Sequence, residues 1–104
     1  MPTIDITVSY VNGTLSVSPA NAQVTSQGTN VIRWVPGTGI ASIDSISGLP
    51  NPPFTTPKKV KKRFKTTDNN SASSPTTYSY TIGYTLSVSK VSSTHDPQIT
   101  NEPE

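Results

Sequence analysis

The sequence contains no cysteine, and it has only one histidine and one methionine. Without thiols the chain forms no disulfide, no zinc–thiolate site and no iron–sulfur cluster, and it offers no cysteine nucleophile. The six carboxylates are scattered, and none of them falls in the spacing of a calcium-binding loop. We therefore expect the protein to hold no metal and no other cofactor.

Charged and hydrophobic residues are also scarce. They make up 13% and 31% of the 104 residues, against averages of about 25% and about 45–50% in globular domains. Disordered chains combine low hydrophobicity with a high net charge, whereas the net charge here is only +2. The composition, rich in Ser, Thr, Asn, Gly and Pro, therefore indicates a folded chain with many strands and turns.

Long apolar segments are missing as well. The longest apolar run is far shorter than the ~20 residues that a helix needs to cross a bilayer, so we expect no membrane span. The N-terminal residues lack the pattern of a signal peptide, and small secreted domains usually carry disulfides. The lack of a signal-peptide pattern and of cysteine slightly favours a cytoplasmic location, but the sequence does not determine the compartment. The length fits one domain, predicted over residues 1–104.

Apolar residues recur at every second position, which is typical of half-buried strands. Residues 4–10 (IDITVSY) and 14–18 (TLSVS) alternate in this way. Asn12-Gly13 lies between them, and this pair suits the positive φ angles of a tight hairpin turn. Residues 30–35 (NVIRWV) are rich in β-branched and aromatic side chains, which predicts a central strand.

Other segments are less regular. We expect residues 40–57 to be irregular, because Ile40, Ile43 and Ile46 are three apart and four prolines fall between residues 50 and 57. The three isoleucines are read as one helical turn or as loop anchors. Residues 68–75, which begin Asp-Asn-Asn-Ser, are predicted to form a polar turn.

The C-terminal third contains the longest alternation. Residues 78–88 place Tyr, Tyr, Ile, Tyr, Leu and Val on one face, with a break or bulge expected near Gly83. Residues 92–104 are expected to be a docked or frayed tail. About seven short strands with turns between them predict an antiparallel two-sheet β-sandwich with a Greek-key topology.

Three stretches resemble a known group of proteins: IDITVSYVNGTLSVSP at the start, NVIRWV in the middle, and TYSYTIGYTLSV followed by DPQITN at the end. In this order they are similar to small bacterial copper-free cupredoxin-like proteins that end in D-P-x-I-x-N, and to immunoglobulin-like sandwiches. The resemblance covers most of the chain. It implies a cupredoxin-like or immunoglobulin-like sandwich, and it implies no particular activity.

The chain departs from copper-binding cupredoxins in the residues that hold the metal. A type 1 copper site needs a Cys thiolate, two His and usually an axial Met. Here cysteine is missing, and His95 is the only histidine. Trp34 matches the core tryptophan of an immunoglobulin-like domain, but the usual cysteine pair is absent.

Six of the eight basic residues lie in one short stretch, residues 57–65 (PKKVKKRFK). Read as one strand, this stretch places Lys59, Lys61, Arg63 and Lys65 on one face, while Val60 and Phe64 share the other. Such a stripe suits a polyanion or an acidic protein partner. Lysines on an edge strand also prevent sheets from aggregating edge to edge, so both interpretations stay open.

The remaining candidates favour a structural role. Trp34 and the row of tyrosines are read as core residues, although aromatic rows also stack on sugars or bases. His95-Asp96 is the only adjacent acid–base pair, and no serine lies in a nucleophile-elbow motif. We therefore predict a non-enzymatic binding or structural module, with a protein as its partner, in the form of a monomer or a homodimer. Polyanion binding through residues 58–65 is the alternative.

Overall fold

The computed structural model describes residues 2–103. These residues form eleven β-strands and no helix, so the expectation of an all-β protein is confirmed. In chain order the strands are β1 (Thr3–Val11), β2 (Thr14–Ser18), β3 (Asn21–Val24), β4 (Gly28–Pro36), β5 (Ile40–Ser47), β6 (Lys58–Val60), β7 (Arg63–Asn70), β8 (Thr76–Ser79), β9 (Thr81–Leu86), β10 (Ser92–His95) and β11 (Gln98–Asn101).

The strands form three sheets. The largest has five strands in the order β2-β1-β4-β7-β6, with β1 and β4 parallel and the other pairs antiparallel. A second sheet has the order β10-β9-β5 and is antiparallel throughout. The third has the order β3-β11-β8, with β3 and β11 parallel. The structure thus has more strands and one more sheet than the seven-strand, two-sheet sandwich that the sequence predicted. The expectation of purely antiparallel pairing is wrong, because β1 pairs with β4 and β3 pairs with β11 in parallel.

The hairpin between β1 and β2 forms as the sequence predicts. Asn12 and Gly13 both have positive φ angles, of 53° and 77°, and Val11 lies opposite Thr14. This geometry matches the right-handed twist of the flanking strands. The hairpin therefore fixes the register that places Val8 opposite Val17, and both side chains are buried.

Strand β5 occupies part of the segment that was expected to be irregular. Its register against β9 shifts between Ile40 and Ser42 and again between Ile43 and Ser45. Each shift inserts one extra residue into β5, as a β-bulge does. Ile40, Ile43 and Ile46 therefore all point inward although they are three residues apart, opposite alternate residues of β9. The interpretation as a helical turn is wrong.

The longest alternation does not form one strand. It divides at Tyr80 into β8, which joins the third sheet, and β9, which joins the second. Gly83, the predicted break, lies within β9 and is buried. Tyr80, Ile82 and Tyr84 face the core as expected, but Val88 lies in the following turn and is 95% exposed.

The C-terminal tail contributes two strands. β10 is exposed along its whole length, whereas β11 is the central strand of the third sheet. Ile99 is fully buried in β11. The DPQITN segment therefore supplies a strand of the core.

One hydrophobic core lies between the sheets. Ile6, Ile32 and Trp34 enter it from the five-stranded sheet, as the alternation in β1 and β4 predicts. Ile43 and Ile82 enter from the second sheet. Fully burying an aliphatic side chain of this size contributes about 1.5–3 kcal/mol, so this cluster holds the sheets together.

Candidate functional site

The basic stretch forms a hairpin. β6 ends at Val60, β7 begins at Arg63, and Lys61 in the turn has a φ of 61°. Residues that flank a two-residue turn lie opposite each other and share a face, whereas along one strand Val60 and Arg63 would point to opposite faces. The prediction of one strand is therefore wrong. Its cause is a turn without glycine or asparagine, which leaves no signal in the sequence.

The hairpin separates the four residues of the predicted stripe. Arg63 and Lys65 stay together on the exposed face of β7, because Phe64 between them is buried. Lys59 lies opposite Phe64, and its Nζ is 3.8 Å from Asp44 Oδ1. Lys61 lies in the turn.

Two cations that were not in the predicted stripe join Arg63 and Lys65. Lys58 lies opposite Lys65 on β6, and Arg33 lies opposite Lys65 on β4. Four cations thus share the outer face of the five-stranded sheet, and we call them the basic face: Arg33, Lys58, Arg63 and Lys65. The signal that would have found Arg33 is the alternation in β4, where it lies between the inward-pointing Ile32 and Trp34.

Asp5 on β1 is the carboxylate that lies next to the basic face. It lies opposite Arg33, which donates from Nε to Oδ1 at 2.7 Å and from Nη2 to Oδ2 at 3.0 Å. The hydrogen bond from Arg33, together with the charges of Arg33 and Arg63, holds the pKa of Asp5 below its ordinary value. Both oxygens of Asp5 are therefore engaged by Arg33.

The other three cations of the basic face have no acidic partner within residues 2–103, where the ion pairs are Arg33–Asp5 and Lys59–Asp44. Lys58 and Lys65 nevertheless lie directly opposite each other on adjacent strands. Like charges in this arrangement destabilise a sheet. An anion placed between the two ammonium groups would remove that repulsion.

A depression of about 420 Å³ adjoins Lys58 and Lys65; threonines contribute to its lining, but most of the exposed lining is apolar. Thr55 Oγ1 lies 3.1 Å from Thr66 Oγ1 and 3.0 Å from Thr67 Oγ1, and it also accepts a hydrogen bond from the Thr67 backbone N–H. The Thr66 hydroxyl also donates to the Thr55 backbone oxygen, so these hydroxyls are engaged within the protein. The donors that suit the oxygens of a phosphate, sulfate or carboxylate group here are the ammonium groups of Lys58 and Lys65.

Comparison of the chain with known protein families and with curated proteins finds no relative. No protein-family model matches the chain. A comparison with curated proteins also finds no significant match. Within residues 2–103, no helix is long and apolar enough to span a membrane.

The adjacent acid–base pair, His95 and Asp96, lies at the surface. His95 is exposed at the end of β10, and Asp96 Oδ1 accepts a hydrogen bond from Thr81 Oγ1 at 2.7 Å. No group of three His, Cys, Asp or Glu side chains that could hold a metal occurs in the part of the chain that the structure describes. His95 and Asp96 therefore lie side by side at the surface, with Asp96 bonded to the Thr81 hydroxyl.

The aromatic candidates belong to the core. Trp34 is fully buried and donates from Nε1 to the Tyr80 hydroxyl at 2.9 Å, with the two rings edge to face at 5.6 Å. Burial raises the pKa of Tyr80 to about 12, against a smaller opposing effect of the hydrogen bond from Trp34. Tyr78 packs its ring edge to face against the buried Phe54. These rings are thus engaged with one another in the protein interior.

The sequence interpretation missed a set of buried polar side chains. Asp68 and Asn70 were assigned to a turn, but β7 continues through them and both are buried. The signal was present: Phe64, Thr66, Asp68 and Asn70 continue the inward alternation of β7. Asp68 accepts a hydrogen bond from Asn101 on β11, which joins the five-stranded sheet to the third sheet.

Proposed function

We propose that this protein is a non-enzymatic binding module whose basic face binds a linear polyanion. The observation that carries the proposal is the pairing of Lys58 with Lys65 on adjacent strands, without a carboxylate between them. The arrangement costs folding free energy in isolation. A bound phosphate or sulfate group would recover it.

The geometry of the face fits an extended ligand. Adjacent strands are about 4.8 Å apart, and alternate residues of a strand about 6.8 Å apart. Lys58, Lys65 and Arg33 form one row across three strands, and Arg63 extends the face along β7. The face is therefore broad and shallow, as contact with a polymer of repeating charges requires.

Three predictions about the scaffold also remain proposals: the two-layer topology, the single domain and the oligomeric state. The two three-stranded sheets would together form the layer opposite the five-stranded sheet, in a cupredoxin-like or immunoglobulin-like Greek key. In support, β8 and β9 belong to different sheets but are separated only by Tyr80. We also propose that residues 1–104 form a single domain. We propose that the protein is a monomer or a homodimer.

The test is a binding titration with two probes, a fluorescein-labelled single-stranded oligonucleotide and fluorescein-labelled heparin. We expect anisotropy to report binding at low salt, with log K falling against log salt at a slope of about −2 to −3 if three or four cations are neutralised. The Lys58→Gln/Lys65→Gln variant should bind at least about tenfold more weakly than the unmodified protein.

Lys61→Gln/Lys90→Gln is the matched control, because it removes the same charge from the β6–β7 turn and from the segment after β9 and leaves the basic face intact. It should retain most of the affinity. An equal loss in both double variants would show that net charge alone drives binding. No binding of either probe at low salt would contradict the proposal, and binding of only one probe would identify the polymer class.

A further inference from the structure

Asp68 and Asn101 form a buried pair between β7 and β11. Asn101 Nδ2 donates to Asp68 Oδ1 at 2.9 Å, and the two residues are 0% and 2% exposed. Asp68 Oδ2 and Asn101 Oδ1 are buried and have no hydrogen-bond partner. If Asp68 is ionised, both of these atoms are acceptors only. Buried polar atoms are nearly always paired, so two unpaired acceptors on one contacting pair require an explanation.

The neighbouring Asn70 amide has partners for both its nitrogen and its oxygen, and no other buried side-chain nitrogen or oxygen atom of residues 2–103 lacks a partner. Asn70 Nδ2 donates to the backbone oxygens of Val24 and Glu102, at 3.0 and 2.9 Å. Asn70 Oδ1 accepts from the Ala72 backbone N–H at 3.1 Å. The deficit is therefore confined to the Asp68–Asn101 pair, and what the pair lacks is one donor.

We propose that Asp68 keeps its proton in the folded protein to a higher pH than an ordinary aspartate does, with the proton on Oδ2 donated to Asn101 Oδ1. A neutral carboxylic acid and a primary amide are complementary: each has one donor and one acceptor to offer the other. One proton then satisfies both unpaired atoms. The pair then makes two hydrogen bonds and carries no charge, and it links the C-terminal strand β11 to the five-stranded sheet.

The surroundings of Asp68 contain no compensating charge. Asn30 lies opposite it on β4, and Phe54 forms an isolated bridge with it from the proline-rich loop. The titratable side chains on or next to the strands of the third sheet are Tyr78 on β8 and Glu102 after β11. Burial raises the pKa of Asp68, and the hydrogen bond from Asn101 partly offsets that rise.

The proposal fixes the sign of a pH dependence. The pKa of Asp68 is higher in the folded than in the unfolded chain, so the folded state binds the proton more tightly. The stabilisation is fully present below the unfolded pKa, near 3.8. It is lost as pH rises through the folded pKa, when the pair would hold an unpaired buried charge. Between the two pKa values the folding equilibrium constant changes by up to about tenfold per pH unit.

The experiment combines a variant with a direct observation of the carboxyl group. Asp68→Asn replaces the shared proton with a permanent amide donor, so the pair with two hydrogen bonds should form at every pH. We expect urea unfolding between pH 4 and pH 9 to show Asp68→Asn equal to or more stable than the unmodified protein at high pH, with the decline in stability toward high pH reduced. Asn101→Leu should lower stability, most strongly at high pH.

Asp5→Asn is the matched control, because it makes the same substitution on the same sheet. The pKa of Asp5 is lowered, so its contribution is lost as pH falls, opposite to that of Asp68. In the unmodified protein, the ¹³C resonance of the Asp68 carboxyl should titrate above 3.8, because burial raises the pKa of this group.

Three results would overturn the proposal. One is a carboxyl resonance that titrates at or below the ordinary aspartate value. A second is an Asp68→Asn protein that is less stable than the unmodified protein throughout the pH range. The third is a rise in the unfolding midpoint on adding Na⁺ or Ca²⁺ that Asp68→Asn lacks, because a cation would then be what the two oxygens bind.

Discussion

Individual polar side chains in this core differ in how completely their hydrogen-bonding atoms are paired. Asn70 uses its amide to tie the end of β7 to Val24 and Glu102, so it joins two sheets with no atom left over. The Trp34 indole N–H is likewise paired, with the Tyr80 hydroxyl. Satisfied groups of this kind cost little to bury, whereas removal of one partner leaves the other desolvated and unpaired.

Tyr80→Phe tests that principle at one atom. The substitution keeps the ring that packs edge to face on Trp34 but removes the only recorded partner of the indole N–H. We expect a loss of about 1–3 kcal/mol in the free energy of unfolding, measured by urea denaturation. Tyr78→Phe, which removes a hydroxyl with no recorded hydrogen bond, should change stability by less than about 0.5 kcal/mol. Equal losses in the two variants would contradict the assigned role of the Trp34–Tyr80 bond.

Single elements depend on a few backbone positions. Gly39, just before β5, has a φ of 80°, and a Cβ there would collide with the backbone carbonyl of Tyr10. Gly13 in the first hairpin has almost the same φ, of 77°, but a Cβ there would meet nothing within 4 Å. A substitution at Gly13 therefore tests conformational strain alone, whereas the same substitution at Gly39 tests strain together with a steric collision.

Gly13→Ala should cost about 1–2 kcal/mol, the strain of a left-handed alanine. Gly39→Ala should cost about 1–3 kcal/mol more, because the connection between β4 and β5 must also move away from β1. Urea denaturation of the two variants measures the difference. Equal costs would show that the chain passes Tyr10 less closely than the structure has it.

The elements also show how far sequence patterns reach. β1, β2 and β4 follow from alternation and from Asn12-Gly13, because regular strands and common turns leave local signals. β5 was missed because two bulges changed the spacing of its isoleucines from two residues to three. The basic face was misplaced because the turn at Lys61 has no turn residue. The alternation in β4 places Arg33 on the outer face, but its position next to Lys65 depends on the pairing of β4 with β7, which local patterns do not predict.

At the scale of the whole molecule, the sheets are connected because successive strands of the chain belong to different sheets. The chain passes from β2 in the five-stranded sheet to β3 in the third, and from β8 in the third to β9 in the second. β11 lies between β3 and β8, so strands from distant parts of the sequence meet at the C-terminal segment. We infer that the third sheet forms only when the C-terminal strand β11 pairs with both β3 and β8.

Ile99→Ala tests whether the C-terminal strand stabilises the whole molecule. Ile99 is fully buried on β11, so its truncation should cost about 2–5 kcal/mol, and Ile99→Val about 0.5–1.5 kcal/mol. Val88→Ala, at a position that is 95% exposed, should cost less than about 0.5 kcal/mol. Urea denaturation should show one transition for each variant, because a core shared by the three sheets would unfold as a unit. If Ile99→Ala matched Val88→Ala, residues 98–101 would be a loosely attached end, and the stability of the core would reside in the other strands.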